Sequence, residues 1–398
     1  MRDGTLLPPV RPLPTGAAEL RSQVRGFLSA ERTAGRFVPA CDAWLSRWDE
    51  SFSRRLAEHG WVGMTIPREY GGHGRSALER YVVVEELLAA GAPVAAHWVS
   101  DRQVGPNLLR YGSEPLKRRY LPAIAQGTCY FAIGLSEPDA GSDLAAVRTT
   151  GTRADGGRTV SGTKIWTSGA HRAHALIALL RTGPPDGRKR HVGLSQLLIE
   201  LDQPGVTIRP IISMTGEHHF NEVVFDEVFV PDEQVVGTIG DGWAQVTSEL
   251  AYERSGPERL LSTFVLLDAL AGELASRAGD AGAAGAAGAA GAAGAVGAVG
   301  RVVSRLWACR QMSLAVAGAL AEGEAPEIAA ALVKDVGTRL ESEIIEVARM
   351  LAATEPDPEG AGIARLLAQA VLHAPGFTLR GGTNEILRGI VARGLALR

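Results

Sequence analysis

Cysteine is scarce in this 398-residue chain: Cys41, Cys129 and Cys309 lie far apart, with no C-x-x-C spacing. That excludes a disulfide framework and a cysteine-rich zinc site, and fits a reducing cytoplasm. An excess of either charge is also missing, because 41 Lys and Arg face 44 Asp and Glu for a formal charge of −3. A nucleic-acid binder would carry a strong basic surplus, and steering towards an anionic membrane needs the same surplus. Long apolar runs are absent outside one Gly-rich segment, so nothing reaches the roughly 18 residues that a membrane span requires. The amino terminus shows no apolar core of signal-peptide length before Pro8 and Pro9. The expectation is a cytoplasmic protein with neither nucleic acid nor membrane as partner.

What is present is an ordinary globular composition, 45% hydrophobic and 21% charged, too apolar for a disordered chain. The length allows about two or three domains at roughly 100–200 residues each. Residues 17–34, 44–59, 81–90, 104–111 and 116–125 carry apolar positions at three- and four-residue spacing, which predicts helices. Between about 129 and 236 the period shortens. Residues 159–166, 173–180, 191–201, 206–212 and 220–230 are short runs rich in Val, Ile, Leu and Thr, separated by Gly, Pro and Asp turns. Such runs without helices between them predict an antiparallel barrel or sandwich.

From Gly242 the helical period returns. Ile328, Leu332, Val336, Leu340 and Ile344 step by four, and Val347 and Leu351 continue the stripe. Residues 278–300 interrupt it, with Gly at every third position from Gly282 to Gly300 and no Pro, which excludes collagen. Each Gly costs about 1 kcal/mol against helix, so a mobile or frayed connector between two helices is expected here. The fold class is therefore α+β: an N-terminal helical domain (1–128), a central β-domain (129–237) and a C-terminal helical domain (238–398).

Two loops concentrate polar residues and glycine. The first, Gly134-Leu-Ser-Glu-Pro-Asp-Ala-Gly-Ser-Asp143, offers the hydroxyls of Ser136 and Ser142 and close backbone approach at Gly141. No GK[ST] or GxGxxG accompanies it, so it is not a Walker or dinucleotide fingerprint. The second, Val160-Ser-Gly-Thr-Lys-Ile-Trp-Thr-Ser-Gly169, sets the flat ring of Trp166 beside the hydroxyls of Thr167 and Ser168. Alone, the first reads as a surface turn and the second as a core Trp ending a strand. His218 and His219 are neighbours on a strand and point to opposite faces, so no shared metal site is expected. His171 and His174 read as loop residues.

Together the loops resemble the acyl-CoA dehydrogenase family, and the similarity runs through most of the chain. It includes residues 56–74 (LAEHGWVGMTIPREYGGHG), residues 111–127 (YGSEPLKRRYLPAIAQG), the FDEVFVP turn at 225–231, the GDGW at 240–243 and Arg380-Gly-Gly-Thr-Asn-Glu-Ile-Leu-Arg388. The resemblance implies FAD as cofactor and a homodimer or homotetramer. It implies that Ile133, Leu135 and Ser136 meet the flavin ring, with Gly141 and Ser142 at the pyrophosphate. Trp166, Thr167 and Ser168 would shield the ring and bond its N5 side, and Thr383 and Glu385 would reach the FAD from the C-terminal segment. Ser142, Tyr252, Arg254, Gly381 and Gly382 would line the substrate.

The implied reaction is α,β-dehydrogenation of an acyl thioester, on coenzyme A or a carrier protein, with electrons passed to an electron-transfer flavoprotein. Many members place the catalytic Glu in a terminal Y-E-G-T, where this chain has Arg380-Gly-Gly-Thr383. A second branch places it on the first long C-terminal helix before an Arg, which matches Glu253-Arg254. Glu253 is therefore the expected base, Glu249 the next candidate one turn away. The family's R-x-x-F-G segment is missing, and residues 354–360 replace a Gly-rich segment on the adenine side. Two other readings stand beside this one: a flavin-dependent monooxygenase on the same scaffold, and a non-catalytic scaffold.

Overall fold

The computed structural model describes residues 6–187, 189–280, 285–324 and 326–397; the side chains of residues 250–252 and 279–292 lie outside that description. Along the chain the first helices are α1 (Ala17–Thr33), α2 (Ala43–Ser46), α3 (Glu50–Glu58), α4 (Ala77–Ala89), α5 (Ala95–Val99), α6 (Gly105–Tyr111) and α7 (Glu114–Ala125). The strands follow: β1 (Phe131–Gly134), β2 (Thr150–Ala154), β3 (Gly157–Lys164), β4 (Ala175–Arg181), β5 (Leu194–Glu200), β6 (Val206–Ile212), β7 (His218–Pro231) and β8 (Val235–Val236). Then come α8 (Gly242–Arg254), α9 (Phe264–Asp280), α10 (Gly285–Ala321), α11 (Glu327–Leu351), α12 (Gly362–Phe377) and α13 (Asn384–Gly394). The order helices, sheet, helices is the α+β class that the periodicity indicates. No helix among the described residues is long and apolar enough to cross a membrane.

Two compact units form, interleaved along the chain. Unit 2 (Trp48–Ser76 and Val94–Glu253) holds the sheet, with strand order β6-β7-β3-β2-β4-β5-β8. The sheet is open and mixed, which differs from the antiparallel barrel or sandwich expected from the turns. β1 leaves α7 and pairs β4 in parallel, Phe131 opposite Ala175, and β2 also meets β4 in parallel. β4 is a nearly continuous apolar run because both of its faces are covered, and β5 is buried to the same extent although it carries Ser195 and Gln196. One face packs Ala175, Ile177 and Leu198 against Leu116, Tyr120 and Ile124 of α7. The other packs Leu176, Ala178 and Leu197 against Val160 of β3 and Val223, Phe225 and Val228 of β7. β2 and β8 escape detection in the sequence, the first because TGTRA carries almost no apolar residue, the second because it is two residues long.

The helix expected over 44–59 is broken into α2 and α3. Asp49 caps α3, its Oδ1 accepting from Phe52 N at 2.8 Å, and a cap ends the preceding turn as it starts the next. Strand β5 also fixes where α8 begins. Gly240 N donates to Ser195 Oγ at 2.9 Å, and a Cβ on Gly242 would lie 2.6 Å from Ser195 Cα and 2.7 Å from its N. Only glycine lets the helix start so close to the strand. Gly242→Ala is expected to lift α8 from β5 and to cost about 1–3 kcal/mol, the usual penalty of overpacking; urea unfolding measures it, and an unchanged midpoint would refute it.

Unit 1 (Met1–Arg47, Ala77–Pro93 and Arg254–Arg398) is helical in its described residues. α11 is its central helix. Leu340, Ile344 and Val347 are buried as expected, whereas Ile328, Leu332, Val336 and Leu351 are only half-buried, and the charged Lys334, Asp335 and Glu341 are buried as well. The solvent face of α11 is narrow, carrying Arg339, Glu346 and Arg349, and the buried charges have partners, as Lys334 has in Asn384. The Ala/Gly segment departs from expectation: residues 281–284 lie outside the described residues, but from Gly285 to Gly300 it is the first part of α10, not a frayed connector. Ala and Val fill the two positions between successive glycines, and a three-residue step turns about 60° short of a full circle, so the glycines wind around the helix and weaken no single face.

Candidate active site

In unit 2 the two polar loops are tied to each other. Ile165 N donates to the Ser136 carbonyl at 2.9 Å, and Lys164 Nζ donates to the Leu135 carbonyl at 3.2 Å and to Glu137 Oε1 at 2.8 Å. Glu137 also accepts from the backbone N–H groups of Arg148 (2.6 Å) and Thr149 (2.9 Å). Burial pushes the Glu137 carboxyl up, but Lys164 and these donors pull it further down, so it stays ionised. Burial draws the Lys164 ammonium down to about 8 against the opposing pull of Glu137, and it remains protonated at neutral pH. Neither residue stands out in the sequence as part of the site. The available signal was a charged residue in each of two apolar-flanked motifs.

This staple sets the strand end. Trp166 has φ 59, a left-handed conformation uncommon for a bulky residue. It is held on one side by the Ile165–Ser136 bond and on the other by Thr167 N donating to the Asn221 carbonyl at 3.0 Å, with Asn221 Nδ2 returning a bond to the Thr167 carbonyl at 2.9 Å. The Trp166 ring is 56% exposed and rests edge-on against Phe220, ring centroids 5.7 Å apart. Beside it Ile133, Leu135, Ser136 and Ser168 are half-buried, and the Thr167 Oγ1 is buried without a hydrogen-bond partner. A Cβ on Gly141 would meet nothing within 4 Å, and Ser142 is exposed. Asp139 and Asp143, which would repel an anion, are paired with Arg148 and Arg190. An open flat ring, an orphaned buried hydroxyl and neutralised acids fit a planar group with polar edges and a phosphate tail.

Asn221 Oδ1 is 2.8 Å from His218 Nε2, and the His218 ring stacks on His171 with centroids 3.8 Å apart. Burial, then the neighbouring His218 and Arg172, pull His171 down to about 4, so it is neutral at pH 7. His174 Nδ1 accepts from Tyr130 N at 3.1 Å. Among the described residues no group of three His, Cys, Asp or Glu is placed to hold a metal.

The carboxylates stand on α8. Glu249 is buried, and its Oε2 accepts from Asn107 Nδ2 at 3.1 Å and from Gln196 Nε2 at 3.3 Å. Burial first, and then the charge of Glu253, push Glu249 up to about 7. Glu253 is half-buried one turn later. The Tyr252 side chain lies outside the described residues.

The remaining predicted residues belong to unit 1. Arg254 Nε donates to the Gly381 carbonyl at 3.0 Å. Gly381 and Gly382 have φ of 70 and 88, a conformation that suits glycine and strains a side chain. Two further anchors, Arg380 and Lys334, neither evident from the sequence pattern alone, fix this segment. Arg380 forms a two-pronged pair with Asp42 at 2.6 and 2.7 Å, and its guanidinium lies 4.6 Å from the Trp44 ring centroid. The buried Lys334 Nζ donates to the carbonyls of Thr378 (3.1 Å) and Gly382 (2.8 Å) and to Asn384 Oδ1 (2.7 Å). Thr383 caps α13, accepting from Ile386 N at 3.4 Å, and Glu385 is exposed with its carboxyl held below the usual range by its own backbone N–H and the Thr383 hydroxyl.

Residues 16–128 match the family model described as acyl-CoA dehydrogenase, N-terminal domain, and residues 132–228 match acyl-CoA dehydrogenase, middle domain. Acyl-CoA dehydrogenase IpdE1 of Mycobacterium tuberculosis (strain ATCC 25618 / H37Rv) is 34% identical over 390 residues, covering 94% of this chain and 96% of the relative. Among solved structures, the Tcur3481-Tcur3483 steroid ACAD superimposes with a TM-score of 0.82 at 29% identity, covering 97% of this chain and 98% of the other. The ChsE4-ChsE5 complex from Mycobacterium tuberculosis gives 0.79 at 28% identity, with 97% and 98% covered. The chain belongs to the acyl-CoA dehydrogenase family and is an oxidoreductase of that type, with FAD as its cofactor.

Proposed function

We propose that this chain carries out α,β-dehydrogenation of an acyl thioester, borne by coenzyme A or a carrier protein, with Glu253 removing the α-proton. The placement of Glu253 carries the reading: it is half-buried in the last turn of α8, while the alternative family position is Gly381, which has no side chain and a φ of 70. A thioester α-hydrogen is a weak acid, so the base needs an ionised carboxylate screened from water and a donor to the thioester oxygen. Gly381 supplies that donor as a backbone N–H, and Arg254, bonded to the Gly381 carbonyl, positions the segment. Ser142, Tyr252 and Gly382 complete the substrate contacts.

FAD, when bound, would supply the acceptor for the β-hydride. Ile133, Leu135 and Ser136 would lie along its ring, with Trp166 covering a face and Thr167 and Ser168 bonding the edge. Gly141 and Ser142 would meet its pyrophosphate, and Thr383 and Glu385 would hold it from the C-terminal segment. Electrons then leave to an electron-transfer flavoprotein. The assembly is a homodimer or homotetramer in this reading. The missing R-x-x-F-G favours a second arrangement in which a different, related chain completes FAD binding; the ChsE4-ChsE5 neighbour is a complex of two named chains.

The test is anaerobic. Purified protein is expected to be yellow and to bleach on addition of a matching member of an acyl-thioester panel, read as loss of flavin absorbance. Oxygen-dependent hydroxylation in place of bleaching would replace this function with a monooxygenase. Failure to take up FAD, alone or with a partner chain, would leave a scaffold.

A further inference from the structure

Glu249 is a buried acid that the reaction outlined above leaves unused. It lies four residues before Glu253, so the two side chains share one face of α8 with Cβ atoms about 5–6 Å apart. Both donors that reach it, Asn107 Nδ2 and Gln196 Nε2, bind the same oxygen, Oε2, which leaves Oε1 as the site for a proton. Asn107 Nδ2 also donates to Gln196 Oε1 at 3.1 Å, so the two amides form a fixed cradle spanning α6 and β5. Glu253 is the titratable group that acts on Glu249; Asn107 and Gln196 are neutral.

We propose that Glu249 is a positioning residue for the reaction: buried one turn before Glu253 and fixed by Asn107 and Gln196, it is the second member of a carboxyl pair that sets how strongly Glu253 attracts a proton. The proposal rests on Glu253 being the base. Coupling between two acids is reciprocal, so the charge on Glu253 that pushes Glu249 up to about 7 implies that ionised Glu249 raises the proton affinity of Glu253. Below that pH Glu249 is neutral and Glu253 acts alone. Above it Glu249 becomes an anion and Glu253 a stronger base.

The experiment is the pH profile of anaerobic flavin bleaching by the FAD-loaded protein with a saturating thioester. Wild type is expected to show a rise in rate near neutrality, where Glu249 ionises. Glu249→Gln is expected to lose that rise, running about three- to tenfold slower on the alkaline side with an unchanged acid side, the reach of roughly one pK unit of coupling. Gln196→Leu removes a donor that favours the Glu249 anion, so the rise is expected to move to higher pH and persist. This second variant keeps the test available if Glu249→Gln does not fold, and a purely structural Glu249 would not move the inflection. Profiles that superimpose on wild type for either folded variant, while Glu253→Gln abolishes bleaching, overturn the role of Glu249 alone. Bleaching that survives Glu253→Gln overturns the base assignment instead.

Discussion

Glu253→Gln is expected to retain its FAD and to bleach about 10²–10⁴-fold more slowly with thioester, the range contributed by a positioned general base. The amide matches the carboxylate in shape, so α8 keeps its packing, but it cannot take a proton. Glu249 is a poor substitute, because it is buried and its Oε2 is already bound by two amides. The measurement is stopped-flow loss of flavin absorbance, with bound FAD counted separately. A variant that bleaches at the wild-type rate would remove Glu253 from the reaction.

Lys164→Met is expected to destabilise the protein by about 3–5 kcal/mol, the cost of leaving a buried charge without its partner. Glu137 would keep only the N–H groups of Arg148 and Thr149 as donors. The loss reaches the cofactor residues directly, since Lys164 also holds the Leu135 carbonyl and precedes the Ile165–Ser136 bond that shapes the turn at Trp166. The variant is therefore expected to carry far less flavin than wild type. Adding Glu137→Gln should recover part of the stability, because the double variant buries no charge at this point; a double-mutant cycle from urea unfolding measures the coupling. Additive losses would refute the staple.

The pH dependence of this pair separates the two proteins. In wild type the Glu137 carboxyl sits below its unfolded value of 4.5, so its contribution is present above that pH and is lost as pH falls through the lower folded value. In Lys164→Met the cation that lowers it is gone, so the carboxyl titrates higher than in wild type and protonation relieves its burial. The stability gap between variant and wild type should narrow in acid. A gap that widens below pH 5 would contradict the account.

Much of the site was legible as residue order. The loop at 134–143, the Trp166-Thr-Ser168 strand end, the Gly-Gly-Thr segment and the Glu253-Arg254 pair are contiguous words whose chemistry is local: hydroxyls, a flat ring, flexible backbone, a carboxylate. The groups that fix these words were not legible, because each pairs residues distant in sequence. Lys164 meets Glu137, Arg380 meets Asp42 and Lys334 meets the Gly382 carbonyl, and in sequence each reads as one more charge in a helix or strand.

By itself the sequence determined the alternation of helical and extended segments and the absence of a carboxylate at position 381, since period and side-chain identity are short-range properties. Tertiary structure alone decided which segments associate. It groups α1, α2 and α4 with α9–α13, groups α3 and α5–α8 with the sheet, and runs β1 parallel to β4. It also turned the Ala/Gly segment from Gly285 into helix and set Glu249 in a cradle of two amides. The physical reason is that partner choice depends on which apolar faces and buried polar groups satisfy one another across the folded chain, and no local window contains both sides of that match.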